Sequence, residues 1–281
     1  MINLNGQTVA PNDAHLSVTN RGFAYGDAVF ETIRVVNSKI MFWEDHYFRL
    51  MASMRIMRME IPGNFSPEFL EEEITGLLKA NGLENSPARI RFSVYREEGG
   101  FYSPETYHIG YFITAEELPS PFYLLKDDFY EIELFKDHYV NSGLLSTLKT
   151  NNKALNVLGS IFAKENGYQN CLILNENKSV VEALNGNLFL VKGKTIKTPP
   201  LTDGCLKGIL RGKLIEIIKT LPDYTLIEES ISPFELQKAD ELFITNVIVG
   251  IQPVNKYRKK EFRTELTKEL LSKLNVKARL G

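Results

Sequence analysis

Ser146-Thr147-Leu148-Lys149-Thr150-Asn151-Asn152 joins a short apolar run to a helix-like stretch. Leu155, Leu158, Ile161 and Phe162 recur at i, i+3, i+6 and i+7, and Gly167 is placed to stop the helix. A lysine at that junction is held still beside the positive end of a helix dipole. The dipole and desolvation both disfavour its ammonium, so a neutral, nucleophilic amine becomes more accessible. Taken alone, Lys149 reads as an ordinary solvated lysine, since most of the 33 Lys and Arg residues must be surface groups. The weight of the stretch depends on what lies elsewhere in the chain.

The chain has 281 residues, 43% hydrophobic and 24% charged, which suits a soluble protein of one large or two modest domains. A formal net charge of -2 argues against nucleic acid and anionic membrane surfaces as partners. No apolar run approaches the length of a membrane span. Met1 to Gly6 has neither a basic n-region nor an apolar h-region, so no secretory signal is expected. Two cysteines, Cys171 and Cys205, favour a reducing cytoplasm. His15, His46, His108 and His138 share no metal-ligand spacing with a cysteine, and no metal is expected.

In chain order, residues 2–10 predict strand with a turn at Asn5-Gly6. The run Ala28 to Val36 predicts a buried strand, and Asn37-Ser38 a turn. Tyr47, Leu50, Met51, Met54 and Met57 form one helical face, read as core packing, with Arg49 off that face. Ser66 as N-cap and Pro67 at the first helical position open a second helix with Leu70, Ile74, Leu77 and Leu78 inward. Ile90 to Tyr95 and Tyr107 to Thr114 predict strands. The expected first domain is a small α+β unit, an antiparallel sheet with helices, over residues 1–118. Pro119 and Pro121 mark a linker over 119–123, and a larger domain follows over 124–281.

That second domain is expected to carry Lys149. It has strands at Tyr130–Phe135, Cys171–Leu174, Ser179–Glu182, Asn187–Val191, Thr195–Thr198, Leu242–Thr245 and Val249–Val254. A helix starts at Gly208, Ser232-Pro233-Phe234-Glu235 is a capping box, and Leu266, Leu270, Leu271 and Leu274 line a final helix. Many short strands around few helices predict a barrel-like α+β domain.

Several chemistries are set aside. No Gly-x-Ser-x-Gly elbow and no Gly-x-Gly-x-x-Gly fingerprint after a strand is present. Gly208 to Lys213 is one residue short of an NTPase phosphate loop, and Leu214 stands where a metal-binding hydroxyl is needed. As a glycine opening a helix, however, it offers backbone N–H groups to a phosphate. Pyridoxal 5'-phosphate (PLP) needs a lysine, an acid for its ring nitrogen, a phosphate cup and an apolar contact on the ring. Lys149, Glu182, the Gly208–Leu210 turn with Arg49, and Leu206 match those needs in turn.

On Arg21-Gly22-Phe23-Ala24-Tyr25-Gly26-Asp27, Val29 to Arg34, His46-Tyr47-Phe48-Arg49-Leu50, Leu148-Lys149-Thr150, Val181-Glu182, Asn187-Leu188-Phe189, Thr198 to Leu201, Leu206 to Arg211 and Phe243 to Asn246, the chain resembles the class IV aminotransferases. These fold-type IV PLP enzymes include branched-chain and D-amino acid aminotransferases and aminodeoxychorismate lyases. The resemblance spans nearly the whole chain. It implies that Lys149 is the Schiff-base lysine and proton shuttle and that Glu182 pairs with the pyridinium nitrogen. It further implies that Arg49, the N–H groups of Ile209 and Leu210, and Thr245-Asn246-Val247 hold the phosphate, and that Leu206 packs on the ring. Two α+β domains with the cofactor between them are implied, as is a homodimer whose partner loop helps close the pocket.

Leu210 in place of a threonine, Asn246-Val247 in place of Gly-Thr, and a basic residue at Lys153 look like the lyase subgroup. Phe101, where a lyase carries an arginine, points the other way. Phe30 is expected to put an apolar ring into the substrate pocket. Arg91, Arg96 and Arg21 are alternative clamps for the substrate carboxylate. The expected reaction is amino transfer between a small amino acid, with branched chains among the candidates, and a 2-oxo acid. The alternative is a lyase that releases pyruvate and 4-aminobenzoate, and a non-catalytic descendant is disfavoured because both Lys149 and Glu182 are present.

Overall fold

A computed structural model describes residues 1–125 and 128–280. Contacts group Met1–Pro121 with Lys149–Asn152 in one unit, and Phe122–Leu148 with Lys153–Leu280 in a second. The lysine segment, which the sequence assigned to the second domain, therefore belongs by its contacts to the first. Lys126, Asp127 and Gly281 of the expected second domain lie outside the described residues.

The first unit opens with a hairpin, β1 (Ile2–Leu4) and β2 (Gln7–Val9), turning on Asn5-Gly6 as expected. A single helical turn α1 (Arg21–Ala24) leads into β3 (Ala28–Val36) and β4 (Lys39–Ile40). Helices α2 (Trp43–Ile56) and α3 (Pro67–Ala80) follow, then β5 (Ala88–Arg96) and β6 (Ile109–Glu117). Ser66 caps α3 by accepting the Phe69 N–H, with Pro67 next to it, as its sequence predicts. The sheet is antiparallel throughout, in the order β2-β1-β6-β5-β3-β4. Its core joins Val29, Ile33 and Val35 of β3 to Leu50, Met51 and Met54 of α2 and Leu70, Ile74, Leu77 and Leu78 of α3. Strand alternation thus puts residues 29, 31, 33 and 35 toward the helices and 28, 30, 32 and 34 on the opposite face.

The second unit contains β7 (Glu131–Val140), α4 (Ala154–Glu165), β8 (Asn170–Asn175), β9 (Val180–Ala183), β10 (Asn187–Lys192) and β11 (Thr195–Thr198). Then come α5 (Ile209–Lys219), β12 (Thr225–Glu228), α6 (Pro233–Leu236), β13 (Glu241–Asn246) and β14 (Gly250–Val254). The short pair β15 (Lys256–Tyr257) and β16 (Lys260–Glu261) precedes α7 (Glu265–Leu280). Two five-stranded sheets form, β12-β11-β10-β13-β14 and β16-β15-β7-β8-β9. Leu172, Leu174 and Val180 of one sheet and Leu188, Leu190, Leu242 and Ile244 of the other enclose a common core, consistent with the expected barrel-like build. The protein is α+β.

Helix α4 starts at Ala154, with Lys153 as its N-cap, five positions beyond Lys149 (154 minus 149). Dipole effects fade within a turn, so the end of α4 does not supply the local reason for an activated Lys149 that the sequence suggested. Strand β12 was not foreseen at all. It pairs in parallel with β11 after the α5 crossover, a long-range contact that leaves little local pattern.

Candidate active site

In the first unit, Glu31 sits on the helix-facing side of β3, in the middle of an apolar run. It is only 2% exposed. Its partners come from α2, where His46 and Arg49 lie three positions apart and so share a face. Arg49 donates from Nε at 2.8 Å and from Nη2 at 2.5 Å, a side-on, two-point pairing with the carboxylate. His46 Nδ1 stands 2.7 Å from Glu31 Oε2. Burial alone would raise the Glu31 pKa, but the Arg49 charge and the hydrogen bonds from His46 and Arg49 outweigh it and bring it down to about 2. Burial lowers the His46 pKa despite Glu31, so the ring is neutral, with its proton on Nδ1 facing the carboxylate.

The Lys149 segment extends this sheet. Phe30 N–H donates to the Lys149 carbonyl at 2.8 Å, and Asn151 N–H donates to the Ala28 carbonyl at 3.0 Å, forming an antiparallel bridge between Val29 and Thr150. Gly26 allows the close approach just before β3. It has a φ of +66°, and a Cβ there would come 2.3 Å from Asn152 Oδ1. The lysine backbone is thereby fixed, and Nζ lies 4.6 Å from the centroid of the Phe30 ring. The same ring takes the Arg91 guanidinium at 3.9 Å. Arg91 donates to Ser93 Oγ at 3.1 Å and Asn151 Oδ1 at 3.3 Å, both neutral. It makes no carboxylate pair among the described residues, and burial, helped by the like charge of Arg89, lowers its pKa. A half-buried cation whose hydrogen-bond partners among the described residues are neutral is suited to take an anion.

The other candidate clamps are engaged elsewhere. Arg96 spends its donors on Asp27 (Nε at 2.8 Å) and on the carbonyls of Met57 and Arg58 at 2.6 and 2.9 Å. Arg21 bonds Asp27 at 3.0 Å and the carbonyls of Gly99, Gly100 and Phe101. Both are structural ties around the Asp27 carboxylate. Phe101 is 82% exposed on that loop.

In the second unit, Glu182 lies on β9. Its Oε2 accepts the Leu206 N–H at 3.0 Å and Asn187 Nδ2 at 3.2 Å, and Asn187 Nδ2 also reaches the Leu206 carbonyl at 2.9 Å. Glu182, Asn187 and Leu206 thus form one locked group. Gly208, the N-cap of α5, is part of it, because a Cβ there would fall 2.0 Å from Asn187 Oδ1. Among the described residues no side chain caps α5, so its first N–H groups, on Ile209, Leu210 and Arg211, point out of the helix start as an anion-binding turn's would. Burial lowers the pKa of Lys153, while the nearby Glu182 charge opposes the shift. Asn246 accepts from the N–H groups of Ile248 and Val249 at 3.1 and 3.0 Å and donates to the Asn185 carbonyl at 3.1 Å. Its side chain therefore closes the turn after β13, which gives this asparagine a structural reason and weakens it as a mark of the lyase subgroup. Leu210, at 1% exposure, is core.

The sequence reading missed Glu31, His46, Asn187 and Asn151. The spacing of His46 and Arg49 on a helix beside a strand glutamate was the available signal. The first unit holds a lysine with a fixed backbone and an arginine gripped at two points, and the second holds an anchored carboxylate and, among the described residues, a helix start with no side-chain cap. Each is a group of the kind that a phosphorylated pyridine aldehyde needs. No group of metal-binding side chains occurs among the described residues.

Comparison with known proteins agrees. The family model for amino-transferase class IV matches residues 28–257. A Methanocaldococcus jannaschii protein, provisionally assigned as a branched-chain-amino-acid aminotransferase, is 30% identical over 98% of this chain and 94% of its own length. The D-alanine aminotransferase of Staphylococcus aureus is 29% identical, over 90% of this chain and 87% of that protein. The branched-chain aminotransferase of the thermophilic archaeon Thermoproteus uzoniensis, solved with norvaline, superposes with a TM-score of 0.86 at 26% identity, over 97% of this chain and 92% of that one. Carrying both the lysine and the anchored glutamate within a match that spans most of its length, the chain belongs to the class IV aminotransferases and is a PLP-dependent enzyme.

Proposed function

We propose that the protein transfers the amino group of a small amino acid, branched-chain side chains included, to a 2-oxo acid. The observation that carries this reading is Arg91. Of the three arginines proposed as clamps, Arg21 and Arg96 are held by Asp27, and only Arg91 lacks a carboxylate among the described residues. One uncommitted cation beside Phe30 suits one substrate carboxylate. The lyase substrate carries two, and burying a second without a cation would cost several kcal/mol.

Bound PLP supplies an aldehyde that links to an amine and a pyridinium that withdraws electrons from the substrate carbon. The chain's own residues do the rest. Lys149 holds the cofactor and moves a proton at Nζ. Glu182, kept in place by Leu206 and Asn187, keeps the ring nitrogen protonated. Arg49, the N–H groups of Ile209 and Leu210, and the Thr245-Asn246-Val247 segment take the phosphate. Leu206 packs on the ring, and Phe30 gives the substrate an apolar wall. Arg96, expected from the sequence to contact substrate, is instead held by Asp27, and Phe101 stays exposed on its loop.

The working form is a cytoplasmic homodimer. Val157, Leu158 and Ile161 lie on one exposed face of α4, as a surface meant for a second copy would, and both cysteines are free and buried. Among the described residues, no helix is long and apolar enough to cross a membrane.

The test supplies L- and D-amino donors with 2-oxoglutarate, and aminodeoxychorismate in a parallel assay. Steady keto acid formation supports the proposal. Pyruvate and 4-aminobenzoate in equal amounts, with no amino transfer from any donor, would replace it with the lyase. Borohydride reduction and peptide mapping should place a pyridoxyl group on Lys149; a label on Lys153 or Lys164 would move the site.

A further inference from the structure

We propose that Glu31, backed by His46, is a positioning residue that fixes the Arg49 guanidinium for the cofactor phosphate and so helps the enzyme distinguish PLP from unphosphorylated pyridoxal. The inference rests on the reading of Arg49 as a phosphate ligand and goes beyond it.

A carboxylate is an odd neighbour for a cation needed by an anion. If charge alone mattered, Glu31 would weaken phosphate binding. Its geometry argues for orientation instead. The carboxylate is rooted on the core-facing side of β3, between Val29 and Ile33, and is almost wholly buried. It grips Arg49 side-on through Nε and Nη2, which fixes the plane of the guanidinium and leaves Nη1 directed away from that grip. An arginine side chain otherwise has many rotamers to lose on binding. His46 Nδ1 holds the shared oxygen Oε2, so the carboxylate cannot swing. Among the described residues, His46 Nε2 is buried without a hydrogen-bond partner, and the ring's polar contact is with Glu31. The group Glu31–His46–Arg49 therefore acts as a preset fork on a rigid strand and helix.

Glu31→Gln keeps the shape but offers Arg49 a single acceptor oxygen, and its NH2 group faces either the guanidinium or the His46 proton. The guanidinium plane is then no longer fixed.

Full-chain protein freed of cofactor is titrated with PLP and with pyridoxal, and the absorbance that each aldehyde develops with Lys149 is followed. In Glu31→Gln the preference for PLP over pyridoxal should fall about tenfold, the factor carried by one charge-assisted hydrogen bond, while pyridoxal affinity holds. On an Arg49→Ala background, Glu31→Gln should cause no further change. Equal loss of affinity for both aldehydes would show a packing role and overturn the proposal. An unchanged or increased preference for PLP would overturn it too, since charge would then outweigh orientation. If Glu31→Gln does not fold, Glu31→Asp, which keeps the charge but draws it back by one methylene, is judged by the same ratio. A wild-type protein with no preference between the aldehydes would overturn the phosphate reading of Arg49 and this inference with it. A preference in the wild type that survives Glu31→Gln overturns this inference alone.

Discussion

Arg91→Met should weaken substrate binding without weakening the fold. The guanidinium is half-buried, rests on the Phe30 ring at 3.9 Å and, among the described residues, donates to Ser93 and Asn151. A two-point contact between a guanidinium and a carboxylate, discounted for its partial exposure, is worth roughly 2 kcal/mol. At about 1.4 kcal/mol per factor of ten, KM for the amino donor should rise about 30-fold. The fold responds differently. Burial already disfavours the Arg91 charge, so removing it relieves that cost while losing two charge-assisted hydrogen bonds to neutral acceptors. The two effects oppose each other, and Met fills much of the same volume against Phe30, so the melting temperature should change little. Steady-state kinetics across several donors, paired with thermal melting, tests this. An unchanged KM with a clear loss of melting temperature would show that Arg91 holds the sheet together and does not hold the substrate.

Glu182→Gln should retain cofactor on dialysis but turn over at least about tenfold more slowly, because an amide holds the ring nitrogen's proton less firmly than a carboxylate; a wild-type rate would assign Glu182 a purely structural role. Arg49→Lys should lose cofactor on dialysis while keeping its order of donor preference, since a point charge does not reproduce the two-point fork. A changed donor order with full cofactor retention would count against that. Acid should also find Glu31. Its folded pKa, about 2, lies below the ordinary 4.5. A depressed carboxylate contributes stability that is complete above 4.5 and is lost as pH falls from there toward 2. The contribution is on the order of 3 kcal/mol. Denaturant midpoints of Glu31→Gln should accordingly fall less steeply with acid across that window than those of the wild type, and parallel slopes would refute the assignment.

Local signals in the sequence proved sound. Ser66-Pro67 and the Ser232–Glu235 capping box act within one turn, so both were legible, and both form as read. The periodic apolar faces of α2, α3 and α7 were equally plain. What sequence reading missed depends on distant partners. Glu31 looked like part of a buried strand because its ligands, His46 and Arg49, lie 15 and 18 positions away. Arg21, Arg91 and Arg96 could not be ranked, since only the pairing of Arg96 with Asp27, 69 positions apart, removes it from the set. The α4 dipole does not act on Lys149, because that helix begins only at Ala154. What fixes the lysine is its backbone pairing with β3, which no window around residue 149 reveals.

That pairing also bears on how the first unit completes itself. Over Ala28–Phe30, β3 has β5 on one side and the Lys149–Asn151 backbone on the other, while β4 covers only its far end at Val35 and Val36. A chain ending at Pro121, the apparent limit of the first unit, would leave that edge with unpaired N–H and C=O groups. The sheet of the first unit is thus completed by a segment that lies beyond the unit's own continuous stretch of chain. Without that segment the Ala28–Phe30 edge is an open strand edge, and a fragment cut at the apparent boundary should aggregate more readily than the full chain.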